Sequence, residues 1–247
     1  MDRYMIFFRK MFCKYNRNYM CVTLDQLLEL LFLNASSLTM IQIGANDGVL
    51  CDPLRKHIVD NKLKGIMLEP QRVVFERLKN NHKNSQGLFF ENVALGETEG
   101  SALLFRVDED LIKQYGDLSG VASFDRDHVL NEIKSNKRRL TFSKNKKAQD
   151  YINKEQVRVV SYSYLIDKYR ISEVDILMID AEGYDYEAVS MFPYDKLLPK
   201  AVIFEYKHLN KALLIKLEVM LKEKGYLPFF TKNDALFIHV KKTEVQN

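Results

Sequence analysis

A glycine-containing turn and an acidic residue further along the chain could together bind a nucleoside. The run Ile43-Gly-Ala-Asn-Asp-Gly48 follows an apolar stretch, and its glycines let the backbone approach a ligand without interference from Cβ atoms. Glu69 ends the next apolar stretch, about 20 residues beyond the turn, where a carboxylate accepts hydrogen bonds from both ribose hydroxyls. The combination indicates an adenosine-containing ligand, whereas the glycines alone are also compatible with a tight strand-to-helix turn.

The same turn departs from the pattern of dinucleotide-binding enzymes. Those enzymes cradle a pyrophosphate with Gly-x-Gly-x-x-Gly. Here the third position is Asn46 and the sixth is Val49. The pattern therefore disfavours a pyrophosphate-containing ligand.

Acidic residues and a histidine follow later predicted strands, at the edge where ligands bind in open α/β sheets. His208 is the preferred general base because a neutral imidazole accepts a proton near neutral pH. A surface or helix-capping histidine is the alternative. The other catalytic candidates are Asp180 and Glu182, which could also hold a divalent cation. Two or three carboxylates do not establish a metal site, and Glu182 could simply shape a turn. The remaining histidines are predicted to be structural or exposed: His57, His82, His128 and His239.

Four motifs in order give the chain a resemblance to a known family. They are Gln42-Ile-Gly-Ala-Asn-Asp-Gly48, Leu68-Glu-Pro70, Glu91-Asn-Val-Ala-Leu-Gly96 and Ile179-Asp-Ala-Glu-Gly-Tyr-Asp185. From about Met40 to Val240, the sequence resembles the FkbM-type S-adenosylmethionine-dependent methyltransferases. The resemblance implies the class I methyltransferase fold, a seven-stranded sheet whose last strand is inserted antiparallel.

The resemblance also implies roles for individual residues. Gly44, Ala45 and Asn46 would lie beside the methionine part of the cofactor, and Glu69 would hold the ribose. Asp180 would face the cofactor sulfur, where it could contact the cofactor ammonium or the substrate. The remaining cofactor-binding candidates are Asp47 and Gly48, which would support the turn, and Asn92 and Val93, which would lie near the adenine or ribose.

The function that follows is S-adenosylmethionine-dependent methylation, with O-methylation of a hydroxyl on a sugar, a glycan precursor or another small molecule as the implied reaction. A nicotinamide-dependent oxidoreductase and a non-catalytic interaction domain that kept the fold are the alternatives. A nucleic-acid substrate is disfavoured. Between Arg126 and Arg158, where ten Lys and Arg are concentrated, the only aromatic residues are Phe142 and Tyr151, whereas single-strand binding surfaces interleave many aromatic residues.

Short apolar runs alternate with helical patterns along most of the chain. This alternation predicts a Rossmann-like α/β fold, a mostly parallel sheet with helices on both faces, and the hairpin pattern around Lys232-Asn-Asp predicts an antiparallel C-terminal strand. A helix is predicted from Thr23 to Asn34 and a further strand from Val157 to Tyr162. Residues 1–38 are interpreted as a helical leader and residues 39–247 as the methyltransferase domain.

Composition narrows the class of protein further. The chain has 247 residues, 47% hydrophobic and 28% charged, as in an ordinary globular protein. Three cysteines without CxxC spacing favour a reducing, cytoplasmic compartment, and no apolar run is long enough to span a membrane.

The positive charge is concentrated in one stretch. The net charge is only +4, but a basic excursion at about residues 104–156 separates the two halves of the alternating pattern. Most of it is predicted to be too polar to form core. It is interpreted as a solvated helical segment or as a basic lid over an acceptor that carries negative charge.

Overall fold

The computed structural model describes residues 24–32, 37–60 and 62–240; for residues 27 and 30 it describes the backbone only. Most of the predicted leader, residues 1–38, lies outside these ranges. Its described helix covers much of the helix predicted to begin at Thr23. Leu28 and Phe32 of that helix, one turn apart, are buried against the sheet.

The elements follow one another in a largely alternating order. The helices are α1 (Leu24–Phe32), α2 (Arg55–Val59), α3 (Arg72–Asn81), α4 (Glu109–Gln114), α5 (Arg126–Ser135), α6 (Tyr162–Tyr169), α7 (Asp185–Ser190) and α8 (Lys211–Glu223). The strands are β1 (Leu38–Ile43), β2 (Leu63–Leu68), β3 (Leu88–Glu91), β4 (Ala94–Leu95), β5 (Gly100–Val107), β6 (Ala122–Ser123), β7 (Ile152–Val160), β8 (Ile176–Ile179), β9 (Ala201–Glu205), β10 (Tyr226–Phe230) and β11 (Asp234–His239). Short 3₁₀ turns span Gly116–Gly120, Lys137–Arg139 and Ala148–Tyr151.

Seven strands form the main sheet, in the order β10-β11-β9-β8-β1-β2-β3. All neighbouring pairs from β9 to β3 are parallel, whereas β11 is antiparallel to both β9 and β10. The predicted fold class is therefore confirmed, including the antiparallel strand supplied by the C-terminal hairpin. Helices cover both faces because parallel strands are joined by crossover connections.

The central strands are apolar on both faces. In β8, Leu177 and Ile179 belong to the core on one side of the sheet, while Ile176 and Met178 belong to the core on the other. Successive residues of a strand point to opposite faces, so a strand covered on both sides reads as a continuous apolar run. This burial explains why the central strands were recognisable in the sequence.

Residues 94–160 contain a second, four-stranded sheet, in the order β4-β7-β5-β6. The long strands β5 and β7 pair antiparallel over their length. The predicted strand Val157–Tyr162 lies partly in β7, so it belongs to this second sheet and not to the main one. Strand β7 ends at Val160, and Tyr162 begins α6.

Most residues of the basic excursion are exposed or half-buried, but the segment also has a small core of its own. Its apolar residues form their own buried cluster, in which Val129 and Ile133 lie on one side of α5. Residues four apart share a helix face, so two apolar side chains suffice to bury one side of an otherwise charged helix. The other buried members of the cluster are Val107, Leu111, Leu118, Val121 and Tyr151.

No helix in the described part of the chain is long and apolar enough to cross a membrane.

Candidate functional site

The candidate site lies where β1, β2 and β8 end together. Ile43 is in register with both Leu68 and Ile179, so the residues that follow these three strands meet at one edge of the sheet. They are Gly44, Glu69 and Asp180. This register brings the three residues together, as expected for residues that directly follow neighbouring parallel strands.

A cavity with about 670 Å³ of empty volume, including its open mouth, occupies this edge. Its floor includes the three edge residues, and its far wall comes from the 94–160 segment. The main lining residues from the sheet side are Ile43, Gly44, Asn46, Leu68, Glu69, Val93, Asp180 and Glu182. Those from the segment are Leu104, Gly120, Ala122, Ser123 and Phe124.

Gly44 brings the end of β1 unusually close to the end of β8. Its φ of +73° is in the left-handed region, and a Cβ here would overlap the carbonyl oxygen of Asp180. The backbone N–H of Asp180 donates to the carbonyl of Ile43 at 3.0 Å. The requirement for glycine at this position therefore comes from the close approach of two strand ends.

Glu69 is held in place by backbone donors from both sides of the cavity floor. The N–H of Asn46 donates to Oε2 at 3.0 Å, and the N–H of Gln71 donates to Oε1 at 2.8 Å. Glu69 is only 4% exposed. Burial raises its pKa to about 7, and the two backbone hydrogen bonds oppose that rise. Each carboxylate oxygen keeps further acceptor capacity.

Asn46 presents an unsatisfied acceptor at the same place. Its Oδ1 is buried and makes no hydrogen bond among the described residues. Its backbone adopts a left-handed conformation, with φ of +48°, a region that Asn tolerates better than most residues. Buried polar atoms are nearly always hydrogen-bonded, so this oxygen is available to a ligand in the cavity.

Several predicted cofactor residues support the cavity without lining it. Ala45 is buried in the core beneath the turn. Asp47 accepts hydrogen bonds from the N–H groups of two following residues, at 2.9 and 2.8 Å. Gly48, with φ of +68°, lies against the ring of His82. Asn92 donates through Nδ2 to the backbone carbonyl oxygens of Glu69 and Pro70, at 2.9 Å each.

Carboxylates concentrate at the end of β8. Asp180 is accessible to solvent where the cavity meets a neighbouring depression lined by Cys51, Asp52 and Asp234. The protein surrounding its carboxyl, together with the charges of Glu182 and Asp185, raises the pKa of Asp180 well above its ordinary value.

Asp185 closes the turn after β8. It is 1% exposed and accepts hydrogen bonds from the N–H groups of Ala181 and Gly183, at 3.3 and 3.2 Å. Burial raises its pKa to about 7. Its carboxylate therefore fixes the backbone that carries Glu182.

His208 lies beside the cavity wall in a group of histidine and glutamate side chains. Its Nε2 is 3.2 Å from Oε2 of Glu205 and 4.0 Å from Oε1 of Glu132, and it does not line the cavity. The Glu205 carboxylate raises the pKa of His208. His128, predicted to be structural or exposed, stands next to it, with ring centroids 4.7 Å apart.

His128 connects this group to the cavity. Its Nε2 is 3.0 Å from Oε2 of Glu182, which does line the cavity. His128 lies in the first turn of α5, whose N-terminus is capped by Asp125. The sequence signal available for placing His128 was the Ser123-Phe124-Asp125 run before α5. Its Asp125 is a helix-capping residue, and a cap fixes where the side chains of the first turn point.

None of the ten basic side chains between Arg126 and Arg158 lines the cavity. Several pack on aromatic rings of the same segment instead. Arg139 lies over Tyr115, and Lys146 lies over Tyr151. The segment does form a wall of the cavity, and the residues that it contributes there are uncharged.

The strand order, the antiparallel β11 and the cavity at the ends of β1 and β2 define a Rossmann-like protein of the class I methyltransferase type. The family model described as "Methyltransferase FkbM domain" matches residues 42–228. The chain therefore belongs to the FkbM methyltransferase domain family, which implies use of S-adenosylmethionine in general.

Similar solved structures are also methyltransferases by name. A methyltransferase FkbM from Methylobacillus flagellatus has 14% identity and a TM-score of 0.48, with 83% of this chain and 44% of that chain covered. The METTL16 methyltransferase domain has 12% identity and a TM-score of 0.43, with 85% and 62% covered. A precorrin-6y C5,15-methyltransferase from Geobacter metallireducens has 10% identity and a TM-score of 0.41, with 92% and 93% covered. The chain thus spans less than two thirds of the first two. Comparison with curated proteins gave no match.

Proposed function

We propose that this chain is an S-adenosylmethionine-dependent methyltransferase that methylates a hydroxyl of a sugar, a glycan precursor or another small molecule. The observation that carries the proposal is the fixed Glu69 carboxylate on the floor of the cavity. Two backbone N–H groups orient it, and its remaining acceptor capacity matches the two donors of a ribose diol.

The other cavity residues fit the rest of an adenosyl cofactor. Val93 and Leu95 supply an apolar surface of the kind that suits an adenine ring. Asn46 Oδ1 supplies a buried acceptor without a partner among the described residues. Gly44, Asn46 and Asp180 adjoin one another at the end where the methionine part of the cofactor would lie.

The charge at this edge favours a cationic ligand over a pyrophosphate. Asp180 and Glu182 both line the cavity, and no Lys or Arg side chain of the described residues does. A sulfonium and an ammonium are attracted by such carboxylates, whereas a pyrophosphate would be repelled. This distribution supports S-adenosylmethionine and argues against the nicotinamide-dependent oxidoreductase.

Glu69, Asn46 and Asp180 would hold S-adenosylmethionine, which would supply a methyl group on a sulfonium sulfur for transfer to an acceptor oxygen with cleavage of the carbon–sulfur bond. A hydroxyl acceptor must also lose its proton. Asp180, Glu182 and His208 remain the proposed catalytic residues. Asp180 and Glu182 reach the cavity directly, and His208 reaches it through the neighbouring His128 and Glu182. In this scheme the carboxylates position the acceptor hydroxyl, and His208, when it holds no metal, is the general base that receives the proton by way of Glu182.

An uncharged polyol is the acceptor class best supported by the cavity. Its lining combines the carboxylates that follow β2 and β8 with neutral residues of the 94–160 segment. Carboxylates accept hydrogen bonds from hydroxyl groups, and Phe124 with Tyr184, ring centroids 5.6 Å apart, offers an aromatic wall for a sugar face. An acceptor that carries negative charge is less well supported, and the cytoplasmic location stays a prediction.

Ligand-dependent thermal unfolding tests the cofactor class. S-Adenosylhomocysteine should raise the melting temperature of the wild type, and NAD should not. Glu69→Gln should lose most of this stabilisation. Glu173→Gln, an exposed glutamate before β8 at the opposite edge of the sheet, should retain it. Stabilisation by NAD alone would refute the proposal.

Transfer itself is measured with a labelled methyl donor and a panel of neutral sugars and phosphorylated sugars. Label appearing on a neutral sugar oxygen, and lost in Asp180→Asn, supports the proposed reaction. A chain that binds S-adenosylhomocysteine but labels only nucleic acid would contradict the acceptor class. A chain that binds no cofactor would support the non-catalytic interaction domain instead.

A further inference from the structure

Three side chains from distant parts of the sequence bring nitrogen and oxygen ligand atoms together beside the cavity. His128 lies on α5, Glu182 follows β8, and His208 follows β9. One potential ligand atom from each lies within 4.8 Å of the other two. Each of the three residues is partly buried, so the group is reachable from solvent and yet held by the fold.

The Nε2 atom of His208 lies near the carboxylates of Glu205 and Glu132. Nε2 is buried and makes no hydrogen bond of acceptable geometry among the described residues, although Oε2 of Glu205 is 3.2 Å away. Oε2 of Glu205 is therefore a neighbouring carboxylate oxygen beside the group, whose three members are His128, Glu182 and His208.

We propose that His128, Glu182 and His208 form a binding site for a transition-metal dication of the Zn²⁺ type. Zn²⁺ is bound by His nitrogen and carboxylate oxygen at about 2.0–2.2 Å, which places tetrahedral ligand atoms roughly 3.4 Å from one another. The candidate ligand atoms are now at most 4.8 Å apart, and small side-chain rotations would bring them to that distance. Two imidazoles favour such an ion over Mg²⁺ or Ca²⁺, which prefer oxygen ligands.

The surroundings of the group carry the charge that a dication needs. Glu132 and Glu205 add carboxylates near His208. The amine of Lys207, a positive charge, lies 3.4 Å from Oε1 of Glu205, the oxygen that is not the one nearest His208. Opposite charge near the ligands stabilises the bound ion. The rigid turn behind Glu182, fixed by Ser123 Oγ donating to the Glu182 carbonyl at 2.8 Å, holds the carboxylate in place.

The site would give the metal access to the acceptor. Glu182 is shared between the three-residue group and the cavity lining. A metal held there could take an acceptor hydroxyl as an open ligand and make it easier to deprotonate, in which case His208 binds the metal and does not itself take the proton. This use in catalysis rests on the proposed methyltransferase function, whereas metal binding itself does not.

Equilibrium titration of the untagged, chelator-treated full chain with Zn²⁺, in competition with a chromogenic chelator, tests the site. One saturable high-affinity site is expected in the wild type. His128→Ala and His208→Ala should weaken it by about 100-fold or more, since loss of even an outer-shell partner costs 10–100-fold. His239→Ala is the matched control, because His239 ends β11 at the opposite edge of the sheet.

The variants must remain folded for this comparison, which circular dichroism and S-adenosylhomocysteine affinity report. Absence of a saturable site in the wild type would overturn the proposal, as would equal affinity in the wild type and both histidine variants. Equal loss in His239→Ala would also overturn it. Failure of the wild type to bind S-adenosylhomocysteine would contradict the proposed function and leave the metal result standing.

Discussion

Raising the pH from 6 to 8 is expected to strengthen nucleoside binding, because Glu69 changes charge in that interval. Burial raises the pKa of Glu69 to about 7. With that pKa, about 10% of the carboxyl is ionised at pH 6 and about 90% at pH 8. The ionised group only accepts hydrogen bonds, whereas the protonated group carries a hydrogen on one of the oxygens that a ribose hydroxyl would approach.

The expected change in affinity follows from these fractions. If the ionised form carries binding, the dissociation constant should fall by about 10-fold between pH 6 and pH 8, equivalent to about 1.4 kcal/mol. The backbone N–H groups of Asn46 and Gln71 donate to the carboxylate and hold it in place without a ligand. The effect should therefore arise at the ribose and not from rearrangement of the cavity floor.

Isothermal titration with 5′-methylthioadenosine is the appropriate assay, because this nucleoside lacks the amino acid part of the cofactor and its titratable groups. Binding near pH 7 should release protons, seen as a dependence of the measured heat on the ionisation enthalpy of the buffer. Glu69→Gln should bind weakly and without pH dependence, and Glu173→Gln should behave as the wild type. A flat wild-type profile, or the same slope in Glu69→Gln, would refute this account of the site.

Four further outcomes follow from the same contacts. The pKa of Glu69 is raised from 4.5 to about 7 in the folded state, so the free energy of unfolding should fall as the pH rises from 4.5 to 7, by up to about 3 kcal/mol relative to Glu69→Gln. Urea unfolding at pH 5 and pH 8 measures this change, and the same difference between the two proteins at both pH values would contradict the prediction. Gly44→Ala should destabilise the fold by about 2–4 kcal/mol in the same assay, because the added Cβ meets the backbone of Asp180 at a left-handed φ; a loss below about 0.5 kcal/mol would show that the strand ends can separate. Gly120→Ala should cost little stability yet weaken S-adenosylhomocysteine binding several-fold, since its Cβ would lie 2.7 Å from the movable Nδ2 of Asn46; unchanged affinity would exclude Asn46 from the cofactor site. Asp180→Asn should weaken S-adenosylmethionine about fivefold more than S-adenosylhomocysteine, because only the former carries a sulfonium charge; equal losses in paired titrations would place Asp180 away from the sulfur.

The fold was predictable where burial and sequence pattern coincide. Strands β1, β2 and β8 are short apolar runs because helices cover both faces of the sheet, and each is followed directly by a residue of the candidate site. The parallel arrangement places those ends together, so Gly44, Glu69 and Asp180 could be grouped before any coordinates were known. Local pattern and global topology agree here, which is the condition under which sequence reasoning succeeds.

The second sheet and the role of His128 were not predictable by the same reasoning. Strands β5 and β7 pair across more than forty residues of intervening chain, and neither shows a strict alternation of buried and exposed positions. His128 meets Glu182 only because α5 packs back towards the end of β8, a contact between residues 54 positions apart. A sequence shows no spacing for such a pair, since the separation is set by tertiary packing.

The negative charge of the cavity lining also could not be predicted from the basic segment of the sequence that forms one of its walls. The net charge of +4 and the basic residues from Arg126 to Arg158 suggested an acceptor that carries negative charge. Apart from half-buried Arg126, these basic side chains are exposed, and the segment faces the cavity with neutral residues. Asp180 and Glu182 line the cavity and these basic side chains do not, so the charge that an acceptor would meet there is set by the carboxylates. This distribution is the reason for proposing a neutral hydroxyl compound as the acceptor.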